Sequence, residues 1–164
     1  MRYAKIRKMD ISNGPGIRVS LFFQGCSFHC KNCFNPETWD FDLGKEFTDD
    51  TIHRVLELGS YDYINGLSIL GGEPLHPKNI EGSTKIAKLF KERFPEKSIW
   101  VWSGFLIDRD LKGKEILHYI DVLVDGTYCD DLRDPRLKWR GSSNQRVIDV
   151  KETLKSGKVI LLKE

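Results

Sequence analysis

Four short apolar runs, each closed by glycine, limit what this chain can fold into more than any other feature. "IRVSLFF" ends at Gln24-Gly25, "GLSILGG" at Gly71-Gly72, "SIWVWSG" at Ser103-Gly104 and "DVLVDG" at Asp125-Gly126. β-Branched and aromatic residues fill these runs and glycine supplies the sharp exit, so each reads as a buried strand. Helical patterns lie between them. In "TDDTIHRVLELG" Thr48 caps, and Asp49 and Asp50 suit the positive end of the dipole. Ile52, Val55 and Leu56 make one face there, and Gly59 stops the helix. "STKIAKLFKERFP" carries Ile86, Leu89, Phe90 and Phe94 as an apolar stripe before Pro95. "GKEILHYI" gives a weaker third pattern with Ile116, Leu117 and Ile120 facing inward. Strands and helices alternating at these lengths pair in parallel through right-handed crossovers. The expected fold is α/β, a parallel sheet with alternating helices, either open or part of a barrel.

In such folds ligands sit outside the carboxyl ends of the strands, where successive loops converge. The four glycine-closed exits should therefore share one mouth. A length of 164 residues fits a single domain spanning 1–164. Against 24 acidic residues stand 26 basic ones, a formal charge of +2, which lacks the cationic excess of a nucleic-acid binder. "MRYAKIRKMD" does not read as a signal peptide, and no apolar run approaches the ~18 residues of a membrane span. A cytoplasmic protein is expected, bound to neither membrane nor nucleic acid. Thiols stay reduced in that compartment, so clustered cysteines point to metal.

The first mouth loop, "QGCSFHCKNCFN", holds Cys26, Cys30 and Cys33, while the remaining cysteine, Cys129, lies far along the chain. Structural zinc wants four closed tetrahedral ligands, which Cys129 or His29 would have to complete. An iron-sulfur cube held by three thiolates instead keeps one iron without a protein ligand, the open position that makes a metal centre reactive. "GGEP" at the second exit, Gly71 to Pro74, reads alone as a tight turn. Beside a ligand, its glycines let backbone approach without a Cβ in the way, and the Glu73 carboxylate can offset a positive charge.

C-x3-C-x2-C after the first strand, followed by a glycine-rich second exit, resembles the radical S-adenosylmethionine enzymes. The resemblance implies a partial, open β/α barrel. It also implies a 4Fe-4S cluster on Cys26, Cys30 and Cys33 whose fourth iron is chelated by S-adenosyl-L-methionine, with Gly71, Gly72 and Glu73 near the methionyl amino group. Asn32 departs from the aromatic residue often found before the last cysteine. Within that superfamily the short length, "NGPGIRVSLFFQGC", "CFNPETW", "LSILGGEPL", "WVWSGF", "DVLVDGTY" and "WRGSSNQRVIDV" resemble the glycyl-radical activases of anaerobic ribonucleotide reduction. By that resemblance the chain is an oxidoreductase. One electron from the cluster splits S-adenosylmethionine into methionine and a 5′-deoxyadenosyl radical, which takes a hydrogen from a glycine of the anaerobic ribonucleoside-triphosphate reductase. A flavodoxin or ferredoxin would supply the electron. No general acid or base is needed, so no catalytic side chain is nominated. Pyruvate formate-lyase as the target, or a zinc-binding interaction module, are the alternatives.

Asn32, Cys33 and Phe34 belong to the cysteine loop and could offer backbone groups and an aromatic wall to an adenine, with core packing the ordinary alternative for Phe34. Ser103 and Asp125 stand at later exits, suited to a carboxylate or ribose hydroxyls, or else to capping loops. "WRGSSNQR" reads either as a recognition loop or as a solvated loop with Trp139 tucked in. His53, His76 and His118 lack ligand partners at useful spacing. The lysines of "KETLKSGKVILLKE" are the wet side of a final helix and edge strand.

Overall fold

The first apolar run becomes a strand whose alternate residues face opposite ways, Val19, Leu21 and Phe23 to one side and Arg18, Ser20 and Phe22 to the other, all of them buried. The computed structural model describes residues 1–163. Its elements run β1 (Arg2–Asp10), β2 (Arg18–Phe23), β3 (Lys45–Glu46), α1 (Asp49–Gly59), β4 (Gly66–Gly71), α2 (Ile80–Arg93), β5 (Ser98–Ser103), β6 (Val122–Asp125), β7 (Arg146–Asp149) and α3 (Val150–Ser156). They build one seven-stranded sheet in the order β3-β1-β2-β4-β5-β6-β7.

The four glycine-closed runs are β2, β4, β5 and β6, and they pair in parallel in chain order. Each crossover moves the sheet one step the same way, so the helices gather on one face. Val19, Leu21, Leu67, Ile69, Ile99, Val101 and Leu123 meet Ile52, Val55, Ile86 and Phe90 from α1 and α2 in the main core. Gly59 lets the two helices close up, because a Cβ there would stand 2.5 Å from the Phe90 ring. The other face carries a smaller cluster of Trp100, Val122 and Val124 with Trp102 and Trp139 against it.

Three features differ from the sequence expectation. The sheet, open as one of the two expected forms, is mixed and not wholly parallel: β1, β3 and β7 join antiparallel at its flanks. β1 is hard to see in sequence because its lysines and arginines mask the alternation, a usual dress for a strand near a sheet edge. The third helix is only a 3-10 turn, Glu115–His118. α2 begins at Ile80, a few residues before the expected start, and α3 is short, with Gly157 at φ 77 ending it. Among the described residues no helix is long and apolar enough to cross a membrane.

Candidate functional site

The carboxyl ends of the parallel strands open into a cleft of about 550 Å³, lined by Cys26, Cys30, Cys33, Gly71, Gly72, Ser103, Gly104 and Gly126 among others. All four exits reach this one mouth. The Gly-Gly pair serves backbone packing first. Gly71 sits at φ 143 with no room for a Cβ against the Phe23 backbone, and a Cβ on Gly72 would stand 2.7 Å from the Gly25 carbonyl. That contact lets Glu73 N–H donate to the Gly25 carbonyl at 2.8 Å, fastening the second exit loop to the first.

The three loop cysteines are free, half-buried and turned to the cleft. Each sulfur faces backbone donors. Asn35 N–H donates to Cys33 Sγ at 3.4 Å, while the Tyr128 amide faces Cys30 and the Phe28 and His29 amides face Cys26. Burial nevertheless pushes the Cys26 and Cys30 thiols up, so as bare thiols they stay protonated. A positively charged metal centre reverses that preference, and amides aimed at sulfur are what iron-sulfur thiolates use. Soft donors with backbone support suit a cluster. A single ion is poorly served, since among the described residues no three His, Cys, Asp or Glu side chains close on one point.

Cys129 is not among the cleft residues; its N–H donates to Ser142 Oγ at 3.1 Å beside a 3-10 turn. His29 stacks on Trp39, ring centroids 4.4 Å apart.

The remaining nominated residues divide. Phe34 is 65% exposed, lines the cleft and lies 5.0 Å from the Tyr128 ring, so it belongs to a wall and not to the core. Glu73 lines the floor, yet its carboxylate already accepts from Gly104 N–H at 2.6 Å, Leu75 N–H at 2.9 Å and the Ser103 hydroxyl at 2.8 Å. Burial outweighs those bonds and pushes its carboxyl up to about 7. It therefore ties the second exit to the third, with little charge left for a ligand. Ser103 is consumed in the same tie and also accepts from Phe105 N–H.

Asp125 was expected either to meet the ligand or to cap a loop, and its contacts are those of a loop tie. The side chain is fully buried, with both oxygens committed to a bidentate pair with Arg146 at 2.9 and 2.7 Å and one also accepting from Ile107 N–H. Asn32, at φ 57, gives its amide N–H to Asp130 at 2.8 Å.

Sequence reasoning missed the far wall. In "WRGSSNQR" Trp139 is tucked in, edge-on to Trp100 at 5.5 Å, and the polar side chains around it bond turning backbone. Gln145 Oε1 accepts from the Gly141 and Ser142 amides while its Nε2 donates to the Gly126 carbonyl, and Asn144 donates to the Thr127 carbonyl. Trp102 Nε1 donates to the Trp139 carbonyl at 2.7 Å. The segment thus clamps the fourth exit and presents Trp139, Arg140 and Gly141 to the cleft. Its density of amide side chains was the available signal, since such groups satisfy turning backbone as readily as a partner. Arg7, Ser12 and Asn13 line the opposite end.

Residues 12–148 match a family described as a 4Fe-4S single cluster domain. The chain is 44% identical over 147 residues to the anaerobic ribonucleoside-triphosphate reductase-activating protein of Enterobacteria phage T4, covering 90% of this chain and 93% of the relative. It is 39% identical over 150 residues to the protein so named in Escherichia coli K12, covering 90% and 97%. To that of Vibrio cholerae it is 38% identical over 148 residues, covering 88% and 96%.

Proposed function

Since this chain belongs to the family of anaerobic ribonucleoside-triphosphate reductase-activating proteins, we propose that it activates such a reductase by radical S-adenosylmethionine chemistry in the thiol-lined cleft. Cys26, Cys30 and Cys33 would hold a 4Fe-4S cluster. A cluster held there would supply one electron for splitting S-adenosyl-L-methionine, chemistry that would serve to remove a hydrogen from a glycine of the reductase. The observation that carries this reading is the three half-buried, amide-supported thiols at one strand-end mouth, with Cys129 outside the cleft lining.

The chain's own residues bind and shape. Gly71 and Gly72 draw the first two exit loops together, so that the cysteine loop has a rigid floor. Glu73 fixes the third exit to that floor through Ser103 and Gly104. Phe34 and Tyr128 form an aromatic wall whose faces suit a purine ring. Among the nominated ligand contacts, Gly71, Gly72, Phe34 and Cys33 stay proposals as direct neighbours of S-adenosylmethionine. Asn32, Glu73, Ser103 and Asp125 act by placing the loops. The one-directional winding of β2, β4, β5 and β6 supports the partial barrel that the resemblance implies. The mouth lies open at the strand ends, suiting a substrate that is itself a protein. A flavodoxin or ferredoxin would be the electron donor, and the cytoplasm the compartment.

Anaerobic reconstitution with iron and sulfide tests this. Wild-type and Cys129→Ser protein should turn brown and bleach with dithionite, and Cys26→Ser, Cys30→Ser and Cys33→Ser should not. Reduced protein with S-adenosylmethionine and the reductase should give a glycyl doublet by electron paramagnetic resonance. A colourless wild-type protein sinks the cluster. A doublet on pyruvate formate-lyase and none on the reductase reassigns the target.

A further inference from the structure

The cysteine loop is held from the side by a segment that no sequence motif connects to it. Asp130, at the start of the 3-10 turn that comes after β6, bridges two partners with its carboxylate: Asn32 Nδ2 donates to Oδ2 at 2.8 Å, and the Tyr128 hydroxyl donates to Oδ1 at 2.8 Å. Asn32 lies between Cys30 and Cys33 and 98 residues from Asp130 along the chain. It is held at φ 57, a left-handed conformation that asparagine and aspartate tolerate better than other side chains. The Tyr128 backbone amide faces the Cys30 sulfur, and its ring lies 5.0 Å from that of Phe34. One carboxylate therefore fixes both the turn between two cysteines and the residue whose amide faces one of their sulfurs.

We propose that Asp130 is a positioning residue for the cysteine loop, strapping Asn32 and Tyr128 so that Cys30 and Cys33 keep the spacing and amide contact a cluster needs. The inference rests on the cluster reading above and deepens it. Both bonds are made to an ionised acceptor, the stronger kind of hydrogen bond; the one from Asn32 ties the cysteine loop to a remote element, and the one from Tyr128 is local and orients its ring. Without them nothing else observed at Asn32 restrains its side chain, and Tyr128 loses the bond that orients its hydroxyl. The Cys30 sulfur then sees a less well-placed N–H, which lowers the potential of a reduced centre and opens the loop to chelators.

The experiment uses full-length protein reconstituted under argon, with cluster loss to a ferrous chelator followed by visible absorbance and the potential measured by dithionite titration. Asp130→Ala should lose its cluster at least about fivefold faster than wild type, in line with removal of both charge-assisted bonds. Its potential should fall, while thermal melting of the cluster-free protein stays unchanged. Asn32→Asp sets two carboxylates face to face and should be worse. The exchange Asn32→Asp with Asp130→Asn leaves net charge and backbone tolerance intact. It rebuilds both bonds, because the relocated amide can donate to the relocated carboxylate and still accept from Tyr128, so release should return close to wild type. A fully loaded Asp130→Ala protein with wild-type release and potential overturns the strap alone, as does an exchange no better than Asn32→Asp by itself. Wild-type protein that takes up no iron overturns the cluster reading and this inference together.

Discussion

The two faces of the sheet are made by the same strands and behave as different materials. Toward α1 and α2 every central strand offers aliphatic or aromatic groups, and apolar packing dominates. Toward the opposite side the alternate positions carry Arg18, Ser20, Ser68 and Ser98 among Phe22, Leu70, Trp100 and Trp102. Arg18 there is fully buried. It donates to Ser68 Oγ, Ser98 Oγ and the Pro15, Leu67 and Ser98 carbonyls, a tie across three parallel strands. One face provides non-directional stability. The other uses directional bonds to hold the loops that border a cleft, and such bonds fix geometry more than they add net energy.

Substitutions on each face should break or sharpen this contrast. Phe90→Ala removes a fully buried ring from the helix-covered face and should lower unfolding free energy by about 3–5 kcal/mol, measured with denaturant on cluster-free protein. Iron uptake by the surviving folded fraction should stay normal. A loss of uptake at full folding would mean that the two faces are not separable.

At the cleft floor the controlling variable is pH. The Glu73 carboxyl sits at about 7 when folded against 4.5 as its ordinary value, so between these the folded state holds the extra proton. The stabilisation is complete below pH 4.5 and is lost as pH rises through about 7, a loss of about 3 kcal/mol by linkage. Melting of cluster-free protein should show this decline across the window, and Glu73→Gln should flatten it. An identical decline in Glu73→Gln would place the titration elsewhere.

Ser68→Ala should have the smallest effect, about 1–2 kcal/mol, because it strands the Arg18 Nε–H and frees the Asn13 carbonyl to which the serine donates. Its signature should be local, with faster amide exchange in residues 12–17 and unchanged exchange in α2. A global loss as large as that of Phe90→Ala would erase the distinction between the faces.

Much of the site was legible in the order of residues. Cys26, Cys30 and Cys33 could be grouped from their spacing because consecutive thiols on one tight loop need no fold to bring them together. The four strand ends could be placed at one mouth because parallel pairing leaves their loops no other side. Glu73 and Asp125 show where this stops. Each stands at a strand end, where a carboxylate could meet a ligand, and nothing local reveals that Ser103 and Gly104 or Arg146 take the charge first. β1 and β7 were missed because antiparallel flank strands draw their stability from a neighbour and not from an apolar pattern of their own.

The sequence alone settled what depends on short range: glycine exits, helix faces and the cysteine triplet, all governed by sterics and periodicity within a few residues. Only the tertiary structure decided which polar groups were left to face the cleft. That outcome depends on partners such as Asp130 for Asn32, nearly a hundred residues away, and burial makes each buried polar group find one wherever the fold provides it.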